Sequence, residues 1–350
     1  MGSRGCSAAV VTVLCLQTVV CGRRPEAPAV TDPEPLAAAS TPQTSQHGPV
    51  RIEMKDVALH MDEGIVMHVK ELAGTMVSTN AGQPPVFDDP RSYVLKVSRA
   101  DLSMDMASLT VLLNQDVFAG EHAPLSDITV KAEDGRLKQK GTLHKGVPLA
   151  FSLEATVSAA PDGRLRLHAE SARVLGIPSK TLMEIFGLEL EDVVKIKDQR
   201  GVEIEGDDVL IDPGRVLPPP AIQGRLASVD LAGGRLHQIL SDGQHAPTSR
   251  LAPPDSKARH YVYFSGNDIR FGKLLMSNAD LQLIDADERD PFDFYPARYT
   301  AQLVAGYSKN TPSGGLRTYM PDYNDVTAKT DLRPGFSRPG QQTGTRPTVR

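Results

Sequence analysis

Alternation of apolar and polar residues, broken at regular intervals by Asp-Gly turns, constrains this chain more than any other feature of it. Ile128, Val130 and Ala132, then Leu149, Phe151, Leu153, Ala155 and Val157, then Leu165 and Leu167 fall at every second position, and successive side chains of a strand point to opposite faces. Each run therefore has one apolar side and one wet side. Between them stand Glu133-Asp134-Gly135-Arg136 and Pro161-Asp162-Gly163-Arg164, where glycine adopts the positive φ of a tight turn without a Cβ clash. Gly135-Arg136-Leu137, Gly163-Arg164-Leu165 and Gly234-Arg235-Leu236 mark three related hairpins. Their uneven spacing excludes a solenoid, whose repeats share one period.

Two segments of helical periodicity flank the central hairpins. Leu109, Leu112, Leu113 and Val117 share one face of the first, and Leu182, Ile185 and Phe186 one face of the second. Residues 109–186 thus offer a surface for burying something apolar and hold no reactive constellation. Upstream, Ile52, Met54, Val57, Leu59, Ile65, Met67 and Val69 predict a hairpin around Asp62-Glu63-Gly64, and Tyr93, Leu95 and Val97 resume the alternation. Downstream, Val202, Ile204, Val209 and Ile211 flank Gly206-Asp207-Asp208, and residues 261–287 are again strand-like. A short helix is predicted over residues 297–305. Met54, Met61, Met67 and Met76 lie close together in sequence, as a pliable wall for a lipid chain or as ordinary core.

At the N-terminus Arg4 precedes the uncharged run 5–22, whose apolar centre, residues 8–20, has the length of a signal h-region. Residues 1–22 therefore read as an export signal. It is removed by cleavage at the small-residue pair Val20 and Gly22, or Cys21 is lipidated as in bacterial lipoproteins. All three cysteines, Cys6, Cys15 and Cys21, lie in this segment, so the mature chain has no pair to oxidise and no thiolate to act as nucleophile or ligand. Residues 23–49 are a Pro/Ala/Ser/Thr tether. A folded domain is expected over 50–240, a loop over 241–256, a β-rich, aromatic extension over 257–325 and a disordered tail over 326–350.

A net charge of −5, with Lys and Arg scattered among acidic residues, and the absence of Trp argue against nucleic acid as a partner. Catalytic motifs fail as well: there is no His-Glu-x-x-His, Gly-x-Ser-x-Gly or Ser-x-x-Lys. Residues 266–273 imitate a phosphate loop but separate their glycines by five residues and put Leu274 where a hydroxyl belongs. No catalytic residue and no cofactor follow from the sequence, and the nine dispersed histidines read as solvated. Asp285, Asp287, Asp290 and Asp293 offer the oxygen ligands that calcium takes, though without the glycine and glutamate of an EF-hand. The alternative is a solvated acidic loop that seats the aromatic segment 292–323, with Phe292, Phe294, Tyr295, Tyr299, Tyr307, Tyr319 and Tyr323.

From about residue 109 to 240 the order of motifs carries a resemblance. The apolar helix is followed by Pro124-Leu125-Ser126-Asp127-Ile128, Asp134-Gly135-Arg136-Leu137, Gly146-Val147-Pro148-Leu149, Asp162-Gly163-Arg164-Leu165 and Gly176-Ile177-Pro178. This order resembles the LmeA-like phospholipid-binding family of the tubular lipid-binding (TULIP-like) group. The resemblance implies an α+β fold, a long curved antiparallel β-sheet wrapped around a few short amphipathic helices. It also implies an apolar groove for acyl chains in a periplasmic or envelope-associated protein. The residues beside it give the same expectation a physical basis: a sheet with one apolar face must be covered, and two short helices are little cover for so many strands. The groove is expected at Leu109, Leu112, Leu113, Val117, Phe151, Leu153, Leu182, Ile185 and Phe186. The expected partners are a phospholipid or fatty acyl ligand and a membrane surface. The competing expectations are a sheet and helices sealed into a dry core, and an envelope scaffold that docks proteins through residues 292–323.

Overall fold

In the computed structural model, residues 48–120, 123–145, 147–174, 177–179, 201–242 and 253–326 are described. β1 (Val50–Asp62) and β2 (Ile65–Ser78) form the first hairpin, and β3 (Tyr93–Asp105) runs directly into α1 (Met106–Leu112) and a π-helical turn, Leu113–Val117. There follow β4 (Leu125–Glu133), β5 (Arg136–Lys145), β6 (Val147–Ala159), β7 (Leu165–Val174), β8 (Ile177–Ser179), β9 (Val202–Glu205) and β10 (Asp208–Ile211). After α2 (Pro213–Val216) come β11 (Ala221–Gln223), β12 (Arg225–Ala232) and β13 (Arg235–Ser241). The last part holds β14 (Tyr261–Gly266), β15 (Ile269–Phe271), β16 (Leu274–Met276), β17 (Asp280–Asp285), β18 (Phe292–Phe294), α3 (Tyr299–Ala305), β19 (Tyr307–Asn310) and β20 (Leu316–Met320). The result is the α+β class with a strongly curled, mainly antiparallel sheet and a few short helices.

The first sheet has the order β12-β13-β3-β2-β1-β14-β17-β20-β19. Its three long central strands do not alternate in one phase along their length. Burial passes from Val50, Ile52 and Met54 to Val57 in β1, from Val69 to Leu72 in β2, and from Val97 to Ala100 in β3. Each extra residue keeps the apolar side chains on one face, and in β2 and β3 it coincides with a shift of register between these two strands, the effect of a β-bulge. In β1 the step falls at Asp56, which has φ 48°, and the β2–β3 register shifts at two places. Gly74 sits at one of them, and a Cβ there would lie 2.5 Å from the Lys96 carbonyl oxygen, so the two backbones approach as only glycine allows.

The second sheet, β4-β5-β6-β7-β10-β9, is built from the Asp-Gly hairpins. Asp134 and Gly135 both have positive φ (52° and 72°), as a type I′ turn needs, and Gly163 has φ 89°. α1 fastens this sheet to the first. Asp105 caps the helix by accepting from the Ser108 N–H at 2.7 Å, and the Ser108 hydroxyl accepts from the Val66 N–H of β2 at 3.2 Å. On the other side, Asn114 bonds both backbone groups of Ile128 in β4, at 2.8 and 2.9 Å, and the Thr110 hydroxyl accepts from the Val130 N–H at 3.1 Å. These pins cap an edge strand that would otherwise expose unpaired backbone. A second junction joins the β6–β7 turn to β12, through the Leu226 N–H donating to the Gly163 carbonyl at 3.0 Å and Arg225 donating to the Pro161 carbonyl at 2.6 Å.

The aromatic segment does not stand apart beyond a boundary at 241–256. β14 pairs with β1 from Val50 opposite Gly266 to Lys55 opposite Tyr261, and β18 lies parallel to β1 from Val57 to Leu59, so residues after 257 complete the first sheet. Phe264, Phe292 and Phe294 are fully buried in the main core, which runs through both sheets. The helix predicted over 297–305 is a 3₁₀ turn at Pro296–Arg298 followed by α3. Among the described residues no helix is long and apolar enough to cross a membrane.

Candidate ligand-binding site

Between the pinned helix and the sheets the side chains fail to meet. Three adjoining spaces result, each partly open to solvent. The first lies under the second sheet, walled by Leu109, Leu113, Val117 and Phe118 of the helical segment and by Leu137, Phe151, Leu153, Leu165 and Leu167 of the strands. The middle one shares Leu109, Leu113, Val117, Leu165 and Leu236 with the first and adds Met104, Leu112 and Val216. The third lies under the first sheet and shares Met67 and Leu217 with the middle one.

Leu109, Leu113, Val117, Phe151 and Leu153 are brought together around the first space, and Leu112 lines the middle one. Leu182, Ile185 and Phe186 lie outside the described residues, as does Cys21. Met54, Met61, Met67 and Met76 all line the third space, where flexible thioether side chains give an adaptable wall. Not foreseen were the parts of that space contributed by Phe87, Leu217, Pro219 and Pro220. The proline run reads in sequence only as a stiff connection.

Two polar side chains interrupt the apolar lining, Gln139 in the first space and Gln238 in the middle one, each 8% exposed. No side-chain hydrogen bond joins either amide to another described residue, and neither has an atom that is both fully enclosed and unpartnered. A sequence signal marks both. Gln139 takes the place of an apolar residue between Leu137 and Leu143 in β5, and Gln238 does so between Leu236 and Leu240 in β13. No lysine or arginine lines any of the three spaces among the described residues.

The third space ends in a polar, aromatic wall containing His60 and Asp88. His60 pairs with Asp293 and stacks on Tyr295 at 5.3 Å between ring centroids. Asp88 accepts from the Gly272 N–H and from the Tyr299 hydroxyl, which burial and this carboxylate push well above the usual phenol range.

The calcium reading of Asp285, Asp287, Asp290 and Asp293 finds no geometric support. Among the described residues no three acidic, histidine or cysteine groups are placed to hold a metal. Asp287 is held by the Arg289 guanidinium, which lowers it to about 2, while Asp293 is taken up by His60 and the Asn324 N–H. Asp285 is buried at the end of β17. The aromatic side chains of segment 292–323 are mostly turned inward too, with Phe292, Phe294, Tyr295, Tyr299 and Tyr323 buried and Tyr307 exposed.

Comparison with family models, with curated proteins and with solved structures finds no match.

Proposed function

We propose that this is an exported, non-catalytic lipid-binding or lipid-transfer protein of the cell envelope, holding acyl chains in the three adjoining apolar spaces. The observation that carries the reading is the row of spaces itself, walled by Leu, Val, Phe and Met side chains between a curled sheet and a helix fixed by polar pins. Burying an acyl chain there is worth roughly 0.8 kcal/mol per methylene, about 10 kcal/mol for a dozen, enough to offset much of the cost of immobilising a ligand. The resemblance to the LmeA-like, TULIP-like group supports the same reading, as does the signal-like N-terminus with Cys21 as a site of anchoring.

Native mass spectrometry of protein drawn from its own membranes is expected to show a co-purified phospholipid. Protein that emerges empty and takes up no pyrene-labelled phosphatidylcholine from vesicles would overturn the proposal. The alternative, a scaffold that docks proteins through segment 292–323, must rely mainly on Tyr307 and its neighbours, since most of the aromatic rings there are buried.

For contact with a bilayer the protein has a suitable end. Leu274 and Leu275, 55% and 43% exposed, project from the β15–β16 hairpin beside Lys273. Phe271 of the same hairpin packs on Phe87, centroids 5.0 Å apart, and Phe87 walls the third space. Exposed leucines flanked by a cation suit an interfacial anchor. Replacing both leucines by aspartate is expected to cut co-sedimentation with anionic vesicles several-fold, while loading from monomeric short-chain phosphatidylcholine persists.

A further inference from the structure

Four glutamines are buried in the described fold, Gln139, Gln238, Gln282 and Gln302, and they divide into two kinds. Gln302 accepts from the Tyr295 N–H at 3.2 Å and donates to the carbonyls of Asp293 and Pro321 at 2.8 and 2.9 Å. Gln282 accepts from the Asp255 N–H at 2.8 Å and donates to the Asp255 carbonyl at 3.1 Å. These two meet the ordinary requirement that buried amides be paired. Gln139 and Gln238, which line the apolar spaces, have no partner among the described residues. Their amide atoms are not fully enclosed, so they face the spaces they line, where leucine would satisfy the alternation of β5 and β13 without a polar group in an apolar wall.

We infer that Gln139 and Gln238 hydrogen-bond the ester carbonyls of a glycerolipid whose acyl chains occupy the spaces on either side. The inference rests on the lipid-binding reading and narrows it to a class of ligand. A side-chain amide offers two N–H donors and a carbonyl acceptor but no charge. It matches the neutral carbonyl and hydroxyl groups where an acyl chain joins glycerol. A carboxylate or phosphate at the same depth would lie beside no lysine or arginine among the described lining residues, and an uncompensated buried charge is far more costly than a buried amide. Free fatty acid is therefore disfavoured at these positions, and a headgroup belongs outside them. The shared wall fits a ligand with more than one arm. Leu236 borders both the first and the middle space, two residues from Gln238.

The linkage itself supplies the test. Pyrene-labelled diacyl phosphatidylcholine and its dialkyl ether counterpart differ in having or lacking the ester carbonyl, and partition of each from phosphatidylcholine vesicles to the protein is measured. The wild-type chain is expected to favour the ester on the order of tenfold. In the Gln139→Leu/Gln238→Leu variant the preference is expected to vanish while ether lipid still binds, which also reports that the variant is folded. Equal binding of the two linkages by the wild type, or a preference that survives in the double variant, overturns the inference and leaves lipid binding standing. Binding of neither lipid by the wild type removes both.

Discussion

Replacing Leu113 by tryptophan is expected to abolish lipid uptake while the protein stays folded. Leu113 opens the π-helical turn and borders both the first and the middle space, so an indole ring there projects into existing empty volume and divides the row. Insertion of a larger side chain into a packed core costs about 1–3 kcal/mol, but here the neighbours already leave room. A chain denied half of a dozen methylenes loses roughly 5 kcal/mol, about a thousandfold or more in affinity. Ile239→Trp is the matched control, because Ile239 lies in the opposite phase of β13 and lines a polar groove with His68, Arg235 and His237. Uptake of pyrene-labelled phosphatidylcholine should survive that change. Undiminished uptake by a cooperatively unfolding Leu113→Trp protein would mean that the chains lie elsewhere.

Much of this site was legible from short-range rules. Turn chemistry located the hairpins at Asp134-Gly135, Gly163 and Gly234, because positive φ is a property of two or three adjacent residues. Alternation located Phe151 and Leu153, and helical spacing located Leu109, Leu113 and Val117. What stayed hidden depends on partners distant in sequence. The pins from Ser108 to Val66 and from Asn114 to Ile128 span 42 and 14 residues, and they hold the helix between the two sheets. The phase steps at Asp56, Val69 and Val97 look in sequence like separate strands, whereas in the fold each lies within one strand. The inward turn of the aromatic segment follows from β18 entering beside β1, a parallel pairing that no local pattern announces. Gln139 and Gln238 were legible in principle, as polar residues in apolar phase, though their lack of partners emerges only from the packed structure.

Asp285→Asn is expected to stabilise the protein at neutral pH and to leave it unchanged near pH 4. Asp285 is 4% exposed, one carboxylate oxygen accepts from the Asp287 N–H at 2.9 Å, and the other is buried with no hydrogen-bond partner. Burial pushes it up to about 7, with the negative charges of Asp322, Asp287 and Asp290 adding to the effect. Asp322 is likewise pushed up to about 6, chiefly by burial. A carboxyl that binds its proton more tightly when folded favours the fold most at low pH, and stability falls as pH rises from the unfolded value of 3.8 to the folded value. For Asp285 that window is about 4 to 7. The full displacement is worth at most roughly 4 kcal/mol, and about half of that is expected after local relaxation. Asp287, lowered to about 2 by Arg289, acts with the opposite sign and only as pH falls below about 4, so the two effects separate. Asparagine keeps the acceptor for the Asp287 N–H and carries no charge. Its thermal midpoint at pH 8 should therefore exceed the wild type's by roughly 5 °C, with the gap closing toward pH 4. A gap that stays constant from pH 4 to pH 8 would mean that the carboxyl does not titrate in this window and that the amide acts through packing alone.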